Sequence, residues 1–300
     1  MRQLLLCLWL FLPLAQGAEP LRVFVSVLPQ QTFVERIGGG HVVVESMVKP
    51  GFSPHTYEPT PSQIARLAGA DLYVNIGVPF EDAWNARLRA ANPEIKMLDA
   101  REGISPRALE AHDHDDAEAK SHAHQEIEAR EHDHEPSGAA PDPHIWTSPI
   151  LVKRMAENIQ KMLAELDPSH AGAYRDNLAA LSAELDALDR DIRDQLAGLS
   201  NRRFMVFHPA WGYFADTYGL EQIPIEKAGK EPGPRSLTAL IDQARRESVR
   251  VIFVQPHFPR KSAEQVANAI HGRVEVIDPL APDYFENLRR VARVIAESER

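Results

Sequence analysis

The sequence predicts an α/β protein of two (β/α) lobes with parallel sheets, joined by one long rigid helix. Three observations carry that expectation. Short β-branched apolar segments alternate with helix-like stretches before residue 100 and again after residue 200. One uninterrupted amphipathic pattern lies between the two sets. The chain has 300 residues, 44% hydrophobic and 25% charged, which suits two ordinary globular cores and neither a disordered chain nor a membrane bundle.

Residues 1–18 read as a signal peptide. Met1 and Arg2 precede an apolar run over 4–14, and the small residues Ala15, Gly17 and Ala18 follow it. The run falls well short of the roughly 20 apolar residues of a spanning helix. Cleavage is expected after Gly17 or Ala18, with export to the periplasm. Acylation at Cys7 is the weaker reading, because no small residue precedes that cysteine. Cys7 is the only cysteine, so a mature chain would offer a metal imidazole and carboxylate but no thiolate.

The first lobe is expected over 19–167. Strands are predicted at 21–28 (LRVFVSVL), 42–48 (VVVESMV) and 71–76 (DLYVNI). Thr60-Pro61-Ser62-Gln63 marks a helix start, with a threonine cap, a proline at the first helical position and a glutamine three residues on. The linking helix is expected over 168–199. Behind Asp167-Pro168, residues Tyr174, Leu178, Leu181, Leu185, Leu188, Ile192, Leu196 and Leu199 recur every three or four positions. Some 30 residues at 1.5 Å each would extend about 45 Å, enough to run along both lobes. A coiled-coil partner helix is the rival reading of the same spacing, but the flanking α/β segments favour an intramolecular strut. The second lobe is expected over 200–300, with strands at 204–207 (FMVF), 251–254 (VIFV) and 274–277 (VEVI).

The formal net charge of −10 is local in origin. Residues 110–135 hold ten Asp or Glu against Lys120 and Arg130, leaving the rest of the chain nearly neutral. No basic stripe remains to meet phosphates, so no nucleic-acid partner is expected. The same region, 111–140, carries three His-x-His units, at His112/His114, His122/His124 and His132/His134, with no apolar period. It reads as a disordered insertion in the first lobe with some affinity for divalent metal, which either gathers zinc for the cleft or merely tolerates solvent.

Six of the 13 histidines lie in that insertion. Of the others, His41, His170 and His271 read as solvated or helix-end residues. His55 stands in PGFSPHTYEP after the second strand, and His144 in DPHIW before a Ser148-Pro149 helix start. Prolines stiffen both segments, which a preorganised ligand needs. His208 and Asp278 directly follow predicted strands, at the carboxyl edge where open α/β sheets bind ligands. Taken singly, each of the four reads as a core or capping residue. Taken together, two from each lobe, they suggest an N₃O shell in an interlobe cleft that suits Zn(II).

PGFSPHTYEPTPSQIARLAGADLYVNIG, DPHIWTSP, FHPAWGYFADTYGL, GKEPGPRSL, VIFVQPHF and VIDPLA, in that order, resemble the zinc/manganese solute-binding proteins of ABC transporters over nearly the whole mature chain. The resemblance implies metal ligands at His55, His144, His208 and Asp278. It also implies capture of zinc and delivery to a membrane permease without chemistry, by a protein expected to be a monomer. Manganese-selective members tend to carry a carboxylate where this chain has His208, so imidazole there points to zinc. His257 departs from the Gln-Pro-Gln pattern of similar sequences and also ends a strand; a solvated loop histidine is the leading reading, an alternative or outer ligand the rarer one. A manganese or iron carrier and a surface adhesin stay open. A zinc hydrolase does not fit, because no His-Glu-x-x-His is present and Asp278 would fill the position catalysis needs open.

Overall fold

The computed structural model describes residues 19–109, 141–226 and 230–298. The expected signal peptide at 1–18 and the histidine-rich segment at 111–140 lie outside them.

In the first lobe, strands β1 (Leu21–Val25), β2 (Val42–Ser46), β3 (Leu72–Asn75) and β4 (Lys96–Asp99) form a parallel sheet in the order β2-β1-β3-β4. Helices α1 (Leu28–Gly38), α2 (Pro61–Leu67) and α3 (Pro79–Ala91) make the crossovers that parallel pairing requires. In the second lobe, β5 (Arg203–Val206), β6 (Glu221–Pro224), β7 (Val251–Val254) and β8 (Arg273–Val276) pair in parallel as β6-β5-β7-β8. Its helices are α6 (Gly212–Tyr218), α7 (Pro234–Arg246) and α8 (Lys261–Ala269). The two sheets therefore share one winding order, and each strand set ends its carboxyl edge on loops that reach the same region. The VIFV run of β7 is buried at all four positions, as an apolar strand covered on both faces must be.

Helix α4 (Pro149–Leu166) leads through a short turn into α5 (Ala171–Leu196), which packs on α1, α4 and the last helix, α9 (Tyr284–Glu297). Tyr174, Leu181, Leu185, Leu188, Ile192 and Leu196 are buried along its inner face. Those contacts are internal, which disposes of the coiled-coil reading. One continuous apolar core runs from the first lobe through α4, α5 and α9 into one face of the second sheet, and a smaller cluster fills that sheet's other face.

Loop anchoring in the first lobe uses buried polar groups. Gln63 donates to the Met47 carbonyl at 2.7 Å and accepts from Tyr57 Oη at 2.8 Å, so the start of α2 also holds the loop after β2. Glu81, 2% exposed, accepts from the Ile76 and Gly77 amides at 2.9 and 2.7 Å. Burial pushes the Glu81 carboxyl up to about 6 from 4.5 despite those hydrogen bonds. The folded chain thus takes up a proton there, so the penalty of burying this charge is relieved as pH falls through 6 and is gone below 4.5. Urea unfolding of metal-free protein should show wild type gaining stability relative to E81Q between pH 7 and pH 5, by at most about 2 kcal/mol. A difference that does not change with pH would contradict this assignment.

Candidate metal centre

His55 lies in the proline-rich loop after β2. Its amide donates to Ser53 Oγ at 3.2 Å, and the neighbouring Pro54 carbonyl accepts from the Phe80 amide at 3.3 Å. His144 opens the short turn before α4. Asp142, two residues earlier, accepts from both the His144 amide (2.9 Å) and Nδ1 (2.7 Å). The other Asp142 oxygen accepts from Arg107 at 3.0 Å. Arg107 crosses from the first lobe over Gly212 at the start of α6, and a Cβ on that glycine would collide with its guanidinium. Burial alone would raise the Asp142 carboxyl, but His144 and Arg107 more than offset it and hold it below the usual range.

His208 stands two residues beyond β5. Its Nδ1 faces Glu226 Oε1 at 2.5 Å, its carbonyl accepts from Gln255 Nε2 at 2.9 Å, and its ring stacks on Phe258 at 4.9 Å. Glu226 is 4% exposed and lies just past β6.

The two carboxylates decide the tautomers. An ionised carboxylate only accepts, so Nδ1–H of His144 and of His208 donates and each Nε2 lone pair is left for the cleft. The Nε2 atoms of His55 and His208 stand 3.1 Å apart. Ligand nitrogens of His55, His144 and His208 all lie within 4.8 Å of one another. Tetrahedral zinc with Zn–N of about 2.05 Å would separate its nitrogens by about 3.3 Å, so a small contraction completes the fit. Burial, with the neighbouring imidazoles next, pushes His55 down to about 3. Burial also lowers His208, opposed by its hydrogen bond to Glu226. With the His208 Nε2 lone pair facing the cleft, His55 can donate Nε2–H to it across that 3.1 Å, a proton that a bound cation would replace. The space they enclose is about 10 Å³, room for an ion or one water and for no organic ligand.

Asp278 is placed differently. It lies two residues beyond β8, as expected, but is outside the three-histidine cluster. Its Oδ1 accepts from the Leu280 amide at 2.9 Å and its carbonyl from Asn287 at 2.7 Å. Burial raises its pKa, opposed by the Leu280 amide and Arg290. The next residues, Pro279 and Leu280, do line the space, and the Pro279 carbonyl accepts from Trp146 Nε1 at 2.7 Å across the cleft. His257 also lines the space. His41 and His170 stack on each other 3.7 Å apart, with His170 on Asp167, away from the cleft.

Sequence reasoning missed Asp142 and Glu226 as orienting groups. The spacing Asp-x-His at 142–144 was a usable signal for the first. Glu226 has none, since its link to His208 exists only once β5 and β6 pair.

A family model described as zinc-uptake complex component A, periplasmic, matches residues 23–298. A crystal structure of ZnuA is similar with a TM-score of 0.82 at 41% identity, covering 94% of this chain and 100% of that one. The high-affinity zinc uptake system protein ZnuA of Bacillus subtilis (strain 168) is 29% identical over 266 residues, 87% of this chain and 79% of its own. The iron-binding protein YfeA of Yersinia pestis is 29% identical over 294 residues, 93% of this chain and 86% of its own.

Proposed function

Because the chain belongs to the zinc-uptake complex component A family of periplasmic binding proteins, which are carriers and not enzymes, we propose that it captures Zn(II) in the interlobe cleft and hands it to an ABC-transporter permease. It is a zinc-uptake binding protein of the ZnuA type. The observation that carries the metal assignment is the convergence of three imidazole nitrogens, two of them on rings oriented by buried carboxylates. His55, His144 and His208 supply three ligands, and Asp278 supplies the fourth once its loop closes on the ion. Three neutral imidazoles and one carboxylate leave the loaded site at net +1. Among the described residues no helix is long and apolar enough to cross a membrane. Removal of the leader at 1–18 releases a periplasmic monomer.

An iron or manganese carrier is the second reading, favoured by the iron-binding relative. Imidazole-rich shells rank Zn(II) above Mn(II) and Fe(II) in affinity. Competitive titration of the metal-free protein should give one zinc per chain, bound more tightly than either competitor. Tighter Mn(II) than Zn(II) binding would overturn the assignment.

A further inference from the structure

The cleft holds more ligand chemistry than one tetrahedral ion uses. His257 lines the same space as the three histidines, beyond the carboxyl end of β7, yet stands outside the group whose donor atoms lie within 4.8 Å of one another. Two ligands of one zinc ion are at most about 4.2 Å apart, the diametric limit for Zn–N of about 2.1 Å. His257 therefore cannot share an ion with all three without a further movement of its loop. Its ring packs on Phe258, centroids 4.6 Å apart, and Phe258 in turn stacks on His208. No hydrogen bond to the His257 imidazole is found among the described residues.

Gln255, two residues before it across Pro256, adds a second group. It is 1% exposed and its Nε2 donates to the His208 carbonyl at 2.9 Å. A carbonyl only accepts, so the amide cannot be turned the other way. Gln255 lines the metal space, and its Oε1 is thereby left buried with no partner among the described residues. A buried acceptor without a donor is costly unless something arrives to use it.

Exposure gives the order of use. His144 and His208 are 2% and 4% exposed, whereas His55 and His257 are half-buried. An ion coming from solvent meets the second pair first. We propose that His257, with Gln255 Oε1 accepting from a water the ion still carries, forms an outer station beside the three-histidine site. The station holds Zn(II) transiently during capture and again during release. Stepwise exchange of hydration water for imidazole lowers the barrier to stripping the ion in a space too small for its hydration shell. This rests on the zinc-carrier reading.

A relay speeds passage in both directions and leaves the equilibrium unchanged, which separates it from a permanent ligand. Trp146, whose ring lies 5.3 Å from that of His144, is the reporter. Stopped-flow tryptophan fluorescence of full-length H257Q mixed with Zn²⁺, and of the zinc-loaded variant mixed with a chelator, should show both rates reduced about tenfold, or about 1.4 kcal/mol of added barrier. The equilibrium Kd should stay within a factor of about three of wild type, a difference below 1 kcal/mol. The visible spectrum of bound Co²⁺ should be unchanged, which also certifies a folded site. Unchanged rates would overturn the station. So would a raised Kd with an altered Co²⁺ spectrum, which would make His257 a resident ligand. Failure of the wild-type chain to bind Zn²⁺ would strike the carrier reading itself, a separate result.

Discussion

Replacing His208 with alanine is expected to weaken zinc binding roughly 100-fold or more, taking about 3 kcal/mol as one ligand's share of the 10–16 kcal/mol typical of a four-ligand zinc site. His208 is the ligand with most invested in its position. A 2.5 Å contact to Glu226 orients it, Phe258 covers one face, and Gln255 holds its backbone. The substitution also strands Glu226, a carboxylate 4% exposed, without its partner. An unpaired buried carboxylate destabilises the fold on its own account. The double variant H208A/E226Q separates the two effects. It should recover thermal stability relative to H208A while still failing to hold zinc. E226Q alone keeps the imidazole but trades an acceptor-only carboxylate for an amide that can accept from or donate to Nδ1, so the tautomer is no longer dictated, and it should cost 10- to 100-fold in affinity. Isothermal titration with a competing chelator covers this range, and full zinc affinity in H208A would remove His208 from the site.

Much of this fold was legible because the chain uses strong local signals. Runs such as VIFV and FMVF lie in the sheet interiors, where both faces are covered and apolar residues can follow one another. The strands that escaped, β4 and β6, are sheet edges with a neighbour on one side only. Lys96 and Asp99 bound the first, Glu221 and Pro224 the second, and an edge tolerates charge and proline that an interior strand excludes. The α5 spacing was legible at six of eight positions, with Leu178 only partly buried and Leu199 beyond the helix end, because a helix packed on α1, α4 and α9 must present one continuous apolar stripe.

The candidate site was legible in kind and less so in geometry. Strand ends and proline-stiffened loops singled out His55, His144 and His208, and the fold brings these three together. Asp278 was chosen by the same rule, yet its carboxylate is engaged with the Leu280 amide of its own loop. Whether a strand-end side chain reaches the cleft depends on the loop's path after the strand, which local sequence does not encode. His257 and Gln255 illustrate the converse, since both join the cavity wall from a loop that carries no ligand of the three-histidine cluster.

The larger of the two cores, which both lobes share, makes a second large effect testable. Leu185, fully buried near the middle of α5, should cost 2–5 kcal/mol on truncation to alanine, the range for large-to-small changes that leave a cavity. What matters is how that loss is distributed. Because one apolar cluster continues from the first lobe through α5 and α9 into the second sheet, the cost should fall on a single cooperative transition. Metal-free L185A should melt in one step at a lower temperature, seen alike by far-ultraviolet circular dichroism and by tryptophan fluorescence. Were α5 a hinge between independently stable lobes, the variant would instead split into two transitions. Zinc should raise the melting temperature of wild type and L185A by comparable amounts, since the ligands sit on loops at the carboxyl edges and their affinity should survive a cavity in the helix. A marked loss of zinc affinity in L185A would show that the helix sets the distance between the two halves of the site as well as holding the lobes together.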